Sequence, residues 1–177
     1  MSDKTNNHYV GDNAELTIAI SASNVANLAT FTTAETIVLW GVLRKAEETT
    51  SQRRTHEETR VTGCPEAPIT YSNKQLGKVV WTLTLVDDYF KGETGEWGTD
   101  GLTGWEIFNA FFTNLVNEDP GGITITPAGN LATHITHTLV NPKVVFVSRP
   151  GGDADATKIN EYTVEIGADS TTQAVHG

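Results

Sequence analysis

The sequence predicts a mainly β domain: an antiparallel β-sandwich or barrel-like fold with one flanking α-helix and a long charged loop. Three observations carry this. Most apolar residues fall in short strand-like runs bounded by Gly, Pro, Asn or Asp. One segment alone has helical periodicity. One stretch, KAEETTSQRRTHEETR (Lys45–Arg60), has Ala46 as its only apolar side chain.

In chain order, the polar residues 1–14 are expected as an N-terminal arm, ahead of a β domain over 15–168. LTIAI (Leu16–Ile20) alternates apolar and small or polar residues, and TIVLWGVL (Thr36–Leu43) is continuous and β-branched. The segment 44–62 is expected as an extended loop. KVVWTLTLVDD (Lys78–Asp88) is the clearest strand, with Val79, Trp81, Leu83 and Leu85 on one face and Val80, Thr82, Thr84 and Val86 on the other. The second face is only half polar, so it suits cover by another sheet or a neighbouring subunit.

TGWEIFNAFFTNLVNEDPGG places Trp105, Phe108, Phe111, Phe112 and Leu115 at helical spacing. Thr103 and Glu106 fit a capping box, and Pro120 with Gly121 and Gly122 should stop the helix near Asn117. A helix over about 103–117 is therefore expected to pack on a sheet. GITIT, NLATHITHTL, KVVFVS and EYTVEIG follow as strands, and the polar residues 169–177 read as a C-terminal tail.

A chain of 177 residues with 38% apolar content is long enough for one folded domain. Its net charge of −10, from 12 basic and 22 acidic residues, argues against a nucleic-acid clamp or an anionic membrane as partner. The single Cys64 excludes an internal disulfide and a cysteine zinc site. The N-terminus lacks the apolar core of a signal peptide, and no run reaches the ~18 apolar residues of a membrane helix. Synthesis in a cytosol without export is the expectation.

No motif points to a catalyst, a cofactor or a metal. His134 and His137 in HITH fall on opposite faces of a strand, the wrong spacing for a metal pair. Asp87–Tyr89 and GGDADAT (Gly151–Thr157) read as turns, and the latter lacks the Glu that closes an EF-hand loop. KGETGEWGTDGLTG has no GK[ST] ending for phosphate, and no GxSxG occurs. Trp40 and Trp97 are candidate exposed platforms for a sugar.

Two charge features remain. From Asp87 to Asp119 there are eight acids against Lys91 alone, and Asp87, Asp88, Glu93, Glu96 and Asp100 are candidates for an acidic wall. The charged segment carries Arg44, Lys45, Arg53, Arg54 and Arg60 against Glu47, Glu48, Glu57 and Glu58. Such balanced charge keeps a long loop or extended hairpin soluble and provides both signs for pairing with another copy.

Taken in order, these segments resemble a major tail tube protein of a long-tailed, non-contractile bacteriophage. The resemblance rests on the charged loop ahead of GKVVWTLTLVDDY, the single helix in GLTGWEIFNAFF, and the closing strands from GGITITPAGN through PKVVFVSRPGGDADATKINEYTVEIG. It covers most of residues 10–170. It implies a β-sandwich whose inner sheets join into one barrel in a hexameric ring, with rings stacked through long loops and terminal arms. It also implies a virion location, tape-measure and tail-end proteins as partners, no cofactor, and an acidic lumen through which DNA passes without specific binding. A capsid-decoration or head–tail joining protein, and a carbohydrate-binding β-sandwich, are the alternative readings.

Overall fold

A computed structural model describes residues 14–40, 42–50, 53–58, 69–75, 79–87, 100–127, 135–150 and 160–175. In chain order the elements are β1 (Glu15–Ala19), α1 (Ala22–Asn27), β2 (Thr36–Trp40), β3 (Leu43–Thr50), β4 (Arg53–Glu58), β5 (Ile69–Gln75) and β6 (Val79–Val86). They continue with α2 (Gly104–Thr113), β7 (Gly122–Thr126), β8 (Ile135–Val140), β9 (Lys143–Ser148), β10 (Glu161–Ala168) and β11 (Ser170–Val175).

Period-two alternation builds two sheets. The larger has the order β11-β8-β7-β1-β2 and the smaller β3-β6-β10-β9; β4 and β5 form a separate two-stranded ribbon. Each main sheet turns one apolar face inward. Leu16, Ile18, Ile37, Leu39, Ile123, Ile125 and Leu139 meet Val79, Trp81, Leu83, Leu85, Tyr162, Val164 and Ile166 in one continuous core. Trp81 spans the gap between the sheets: its Nε1 donates to Thr171 Oγ1 of β11 at 3.0 Å, and its ring lies 4.9 Å from that of His137 on β8.

The β9 edge needs an irregularity to join this core. Val144 pairs with Ile166 and Phe146 with Glu165, so Val145 is the extra residue of a β-bulge. The bulge lets Val144 and Val147, three apart, both pack on the core, while Val145 and Phe146 stay 49% and 42% exposed.

Helix α2 begins as its sequence requires. Thr103 Oγ1 accepts from the Glu106 N–H at 3.2 Å, and Glu106 Oε2 accepts from the Thr103 N–H at 2.9 Å. Ile107, Phe108 and Phe111 are buried, with Phe111 stacked 5.2 Å from Phe31. The helix ends at Thr113, short of the expected Asn117. The Asn114 backbone is already extended, and its side chain closes a turn, donating to Glu118 O at 2.9 Å and accepting from the Glu118 N–H at 2.8 Å. Leu115 therefore leaves the helical stripe and is 96% exposed.

Two further expectations are corrected. A second helix, α1, is present, started by a capping box of Ser21 and Asn24. The C-terminal segment expected as a tail forms β11, paired with β8 from Ser170↔Val140 to Val175↔Ile135; its alternation of Ser, Thr and Gln is too polar to read as a strand, but Thr171 meets Trp81 on the inner side. The expected N-terminal arm lies outside the described residues, Ala14 excepted, which is buried.

Two contacts fix α2 against the sheets, and each gives a prediction. At Gly104 a Cβ would sit 2.6 Å from the buried Tyr162 hydroxyl and 3.4 Å from Leu39 Cδ1. Gly104→Ala should cost about 1–3 kcal/mol through overpacking, read as a lower urea midpoint at unchanged slope. Beside it, Arg149 grips the buried Asp87 carboxylate through Nε at 2.5 Å and Nη2 at 3.0 Å, with its guanidinium 4.7 Å from the centre of the Trp105 ring. Arg149→Met alone leaves a buried carboxylate without its cation and should cost about 3 kcal/mol. The double change Asp87→Leu with Arg149→Met should recover most of that loss in the same denaturation assay.

Candidate assembly surfaces

The segment expected as a charged loop is strand at both of its described parts. Leu43–Thr50 is the edge strand of the smaller sheet, paired with β6 from Leu43↔Leu85 to Thr50↔Val79. Leu43 is buried and Ala46 packs on the core, so two apolar residues suffice to seat an otherwise polar edge. Arg53, Arg54, Glu57 and Glu58 lie in β4, paired with β5 from Arg53↔Gln75 to Glu58↔Ile69. This ribbon is inserted between Thr50 and Val79, partners at one end of the smaller sheet. The side chains of β4, and Arg60 altogether, lie outside the described residues.

Arg44 pairs with Glu161 at 3.2 Å across the rim of the smaller sheet. Lys45 Nζ holds Glu47 at 2.6 Å; that hydrogen bond, then the lysine charge, keeps the Glu47 carboxyl below the usual carboxylate range. Glu48 is exposed.

Of the acidic-wall candidates, the two described ones, Asp87 and Asp100, are each engaged within the fold. Asp87 is unavailable to any surface, since its side chain is 1% exposed and bound to Arg149. Asp100 accepts from the Thr32 N–H at 3.0 Å and from the Thr32 hydroxyl. Asp88, Glu93 and Glu96 lie outside the described residues. The other acids of that stretch hold the fold. Glu106 caps α2, Asp119 pairs with Lys143 at 3.0 Å, and Glu118 accepts from Ser23, Asn24 and Asn27 of α1. A run of acids close in sequence is thus dispersed among separate structural bonds.

The alternation of β10, visible in the sequence, sets another acid on an outward face. EYTVEIG sends Tyr162, Val164 and Ile166 inward and Glu161, Thr163 and Glu165 outward. On the outward face of the smaller sheet, Glu47, Thr82, Glu165 and Phe146 follow one another across the four strands. The next row is Lys45, Thr84, Thr163 and Ser148. With Lys45 bound to Glu47, Arg44 to Glu161 and Lys143 to Asp119, Glu165 is the acid of this face with no ion-pair partner among the described residues. The outward face of the larger sheet is hydroxylated instead, with Thr17, Thr124, Thr138 and Thr172 in one row.

The two sheets differ in what their edges can do. All pairings are antiparallel, so in the four-stranded sheet the edge strands β3 and β9 run in opposite directions. In the five-stranded sheet the edge strands β11 and β2 run in the same direction. The molecule also has two distinct ends. One carries the ribbon root, the β8–β9 turn at Asn141–Pro142, and the loop after α2, joined to β9 by Asp119–Lys143. The other carries Arg44–Glu161, Asp87–Arg149 and the Ile135–Val175 pair.

Among the described residues no group of three metal-ligating side chains occurs. His137 faces the core, and His134, Trp97 and the Trp40 side chain lie outside the description. No described helix is long and apolar enough to cross a membrane.

No family model and no curated protein sequence matches the chain. Its fold does match solved structures along nearly its whole length. A chain of the extended-state sheath–tube complex of an extracellular contractile injection system, PVC, superposes with a TM-score of 0.55 at 14% identity, covering 97% of this chain and 95% of that one. The sheath/tube terminator of the same system gives 0.52 at 16% identity, over 92% and 93%. The tube-terminating cap of the anti-feeding prophage gives 0.52 at 16% identity, over 94% and 91%. The chain therefore has the fold found in the sheath–tube complex and the sheath/tube terminator of the PVC injection system and in the tube-terminating cap of the anti-feeding prophage.

Proposed function

We propose that this chain is a structural tail tube subunit, which self-assembles into hexameric rings that stack into a tube, and that it is not an enzyme. The observation that carries this reading is the fold match over 97% of the chain to a sheath–tube complex. The edges of the sandwich support it. Only the four-stranded sheet can join edge to edge around a ring, β9 of one copy to β3 of the next, and remain antiparallel throughout. Its β9 edge exposes Val145 and Phe146, a liability in a lone molecule that ring closure removes.

Curvature then sets the inner wall. Sheets stack about 10 Å apart, so in a six-membered ring the outer layer has about 10 Å more arc per copy, roughly two strand spacings. The larger sheet with its extra strand and flanking α2 fits that outer layer, and the smaller sheet fits the inside. Its outward face, with Glu47, Thr82, Glu165 and Phe146 in one row and Lys45, Thr84, Thr163 and Ser148 in the next, becomes the lumen. Hydroxyls, a Lys45 neutralised by Glu47, and Glu165, which has no ion-pair partner among the described residues, give a wall on which DNA releases no counterions and slides. In the non-contractile phage tail that the sequence resembles, that cargo is DNA and the tape-measure protein, with dedicated proteins at the tube ends. The assembled protein belongs to the virion and is made in the host cytoplasm.

Electron microscopy of the purified protein tests the reading: stacked rings with a central channel are expected, and a monomer at every concentration would exclude it. Replacing Val145 and Phe146 by Lys should leave a folded monomer with no rings, read by size-exclusion chromatography with light scattering. Glu165→Lys should still give tubes, but tubes that bind double-stranded DNA in a salt-dependent way. Assembly by the double lysine variant at wild-type efficiency would show that β9 is not the joining edge.

A further inference from the structure

From the apolar side chains left exposed at the two opposite ends of the sandwich, we infer that rings stack by a head-to-tail contact in which Leu115 and Val116 of one copy seat on Ile135 and Val175 of a copy in the next ring. The inference rests on the tube reading above and goes beyond it by naming the axial contact.

At one end, Leu115 is 96% and Val116 56% exposed, with Phe112 at 44% beside them. Phe112 lies in the last turn of α2, and Leu115 and Val116 in the loop that follows it, a few residues before the Asp119–Lys143 ion pair. At the other end, Val175 and Ile135 are direct cross-strand partners, 67% and 45% exposed. Large apolar side chains exposed side by side at each end give a neighbouring molecule an apolar surface to bury. The two clusters occupy opposite ends of the molecule, one in the stretch that leads from α2 into β7 of the larger sheet and the other on the β8–β11 pair of the same sheet. They can therefore meet only between copies that point the same way. Such a contact is heterologous: it does not close on itself and propagates along an axis. A second copy is the occupant for two reasons. Each cluster has its apolar counterpart on the same chain. The β4–β5 ribbon is also rooted at the Leu115 end, at Thr50 and Val79, so a copy that meets the ribbon meets Leu115 and Val116 as well.

The test uses the full chain in three forms. Leu115→Ser with Val116→Ser, and separately Ile135→Ser with Val175→Ser, should keep wild-type thermal midpoints and still form rings. Each should raise the critical concentration for tube growth about ten-fold or more, the loss expected for about one buried apolar side chain. A third form carries Val116→Cys and Val175→Cys in a Cys64→Ser background. Oxidised tubes of it should give a non-reducing ladder that extends past six copies, because an axial link is not capped by ring closure. Wild-type tubes with serine variants that stack equally well, or a cysteine form that gives no ladder or one capped at six, would overturn the axial contact while leaving the tube reading intact. Wild-type protein that never forms tubes would overturn the tube reading, and this contact with it.

Discussion

The constraint on which this structure turns is the unequal width of its two sheets. Five strands on one side and four on the other must cover each other's apolar faces. Near the middle, where Leu16, Ile18 and Ile123 oppose Leu83, Val164 and Ile166, the match is complete and all six are fully buried. At the β2 and β9 flank it is not, and α2 closes the opening. Gly104 on Tyr162, the Asp87–Arg149 clamp and the β9 bulge all serve that one junction. Each lets a helix approach strands that would otherwise leave apolar side chains wet.

How far the fold was legible follows from how local each cause is. The strand KVVWTLTLVDD alternates through its middle, from Trp81 to Leu85, and the inner face predicted from it is the one observed. The start of α2 is equally local, since Thr103 and Glu106 need only each other. Its end is less local: Pro120 and the glycines predict a stop near Asn117, whereas Asn114 stops the helix earlier through bonds to Glu118. Helix α1 escaped notice for a related reason. It has six residues, and its buried Asn24 is held by Glu118 and by the carbonyl of Asp119, about ninety positions away.

The assembly surfaces were less legible than the fold. Counting charge along the chain grouped Asp87 with Asp100, yet the first is buried under Arg149 and the second binds Thr32. Linear proximity says little about which acids share a face, because a turn reorients every side chain after it. Alternation does carry that information, and it places Glu165 beside Thr82 on the outward face. The charged segment, expected as a long loop or extended hairpin, conceals an edge strand for a different reason. An edge strand needs few apolar anchors, and Leu43 with Ala46 is enough for β3.

The bonds around Glu118 have a consequence for association itself. Asn114 and Glu118 clasp each other at either end of a short loop, and the Glu118 carboxylate is in turn gripped by Ser23, Asn24 and Asn27. The fully buried Asn24 ties this clasp to the body of the fold. Leu115 and Val116 are thus presented on a backbone whose conformational entropy was already given up when the chain folded. A partner docking there has little left to order, so a small apolar patch can hold more firmly than its area alone would allow.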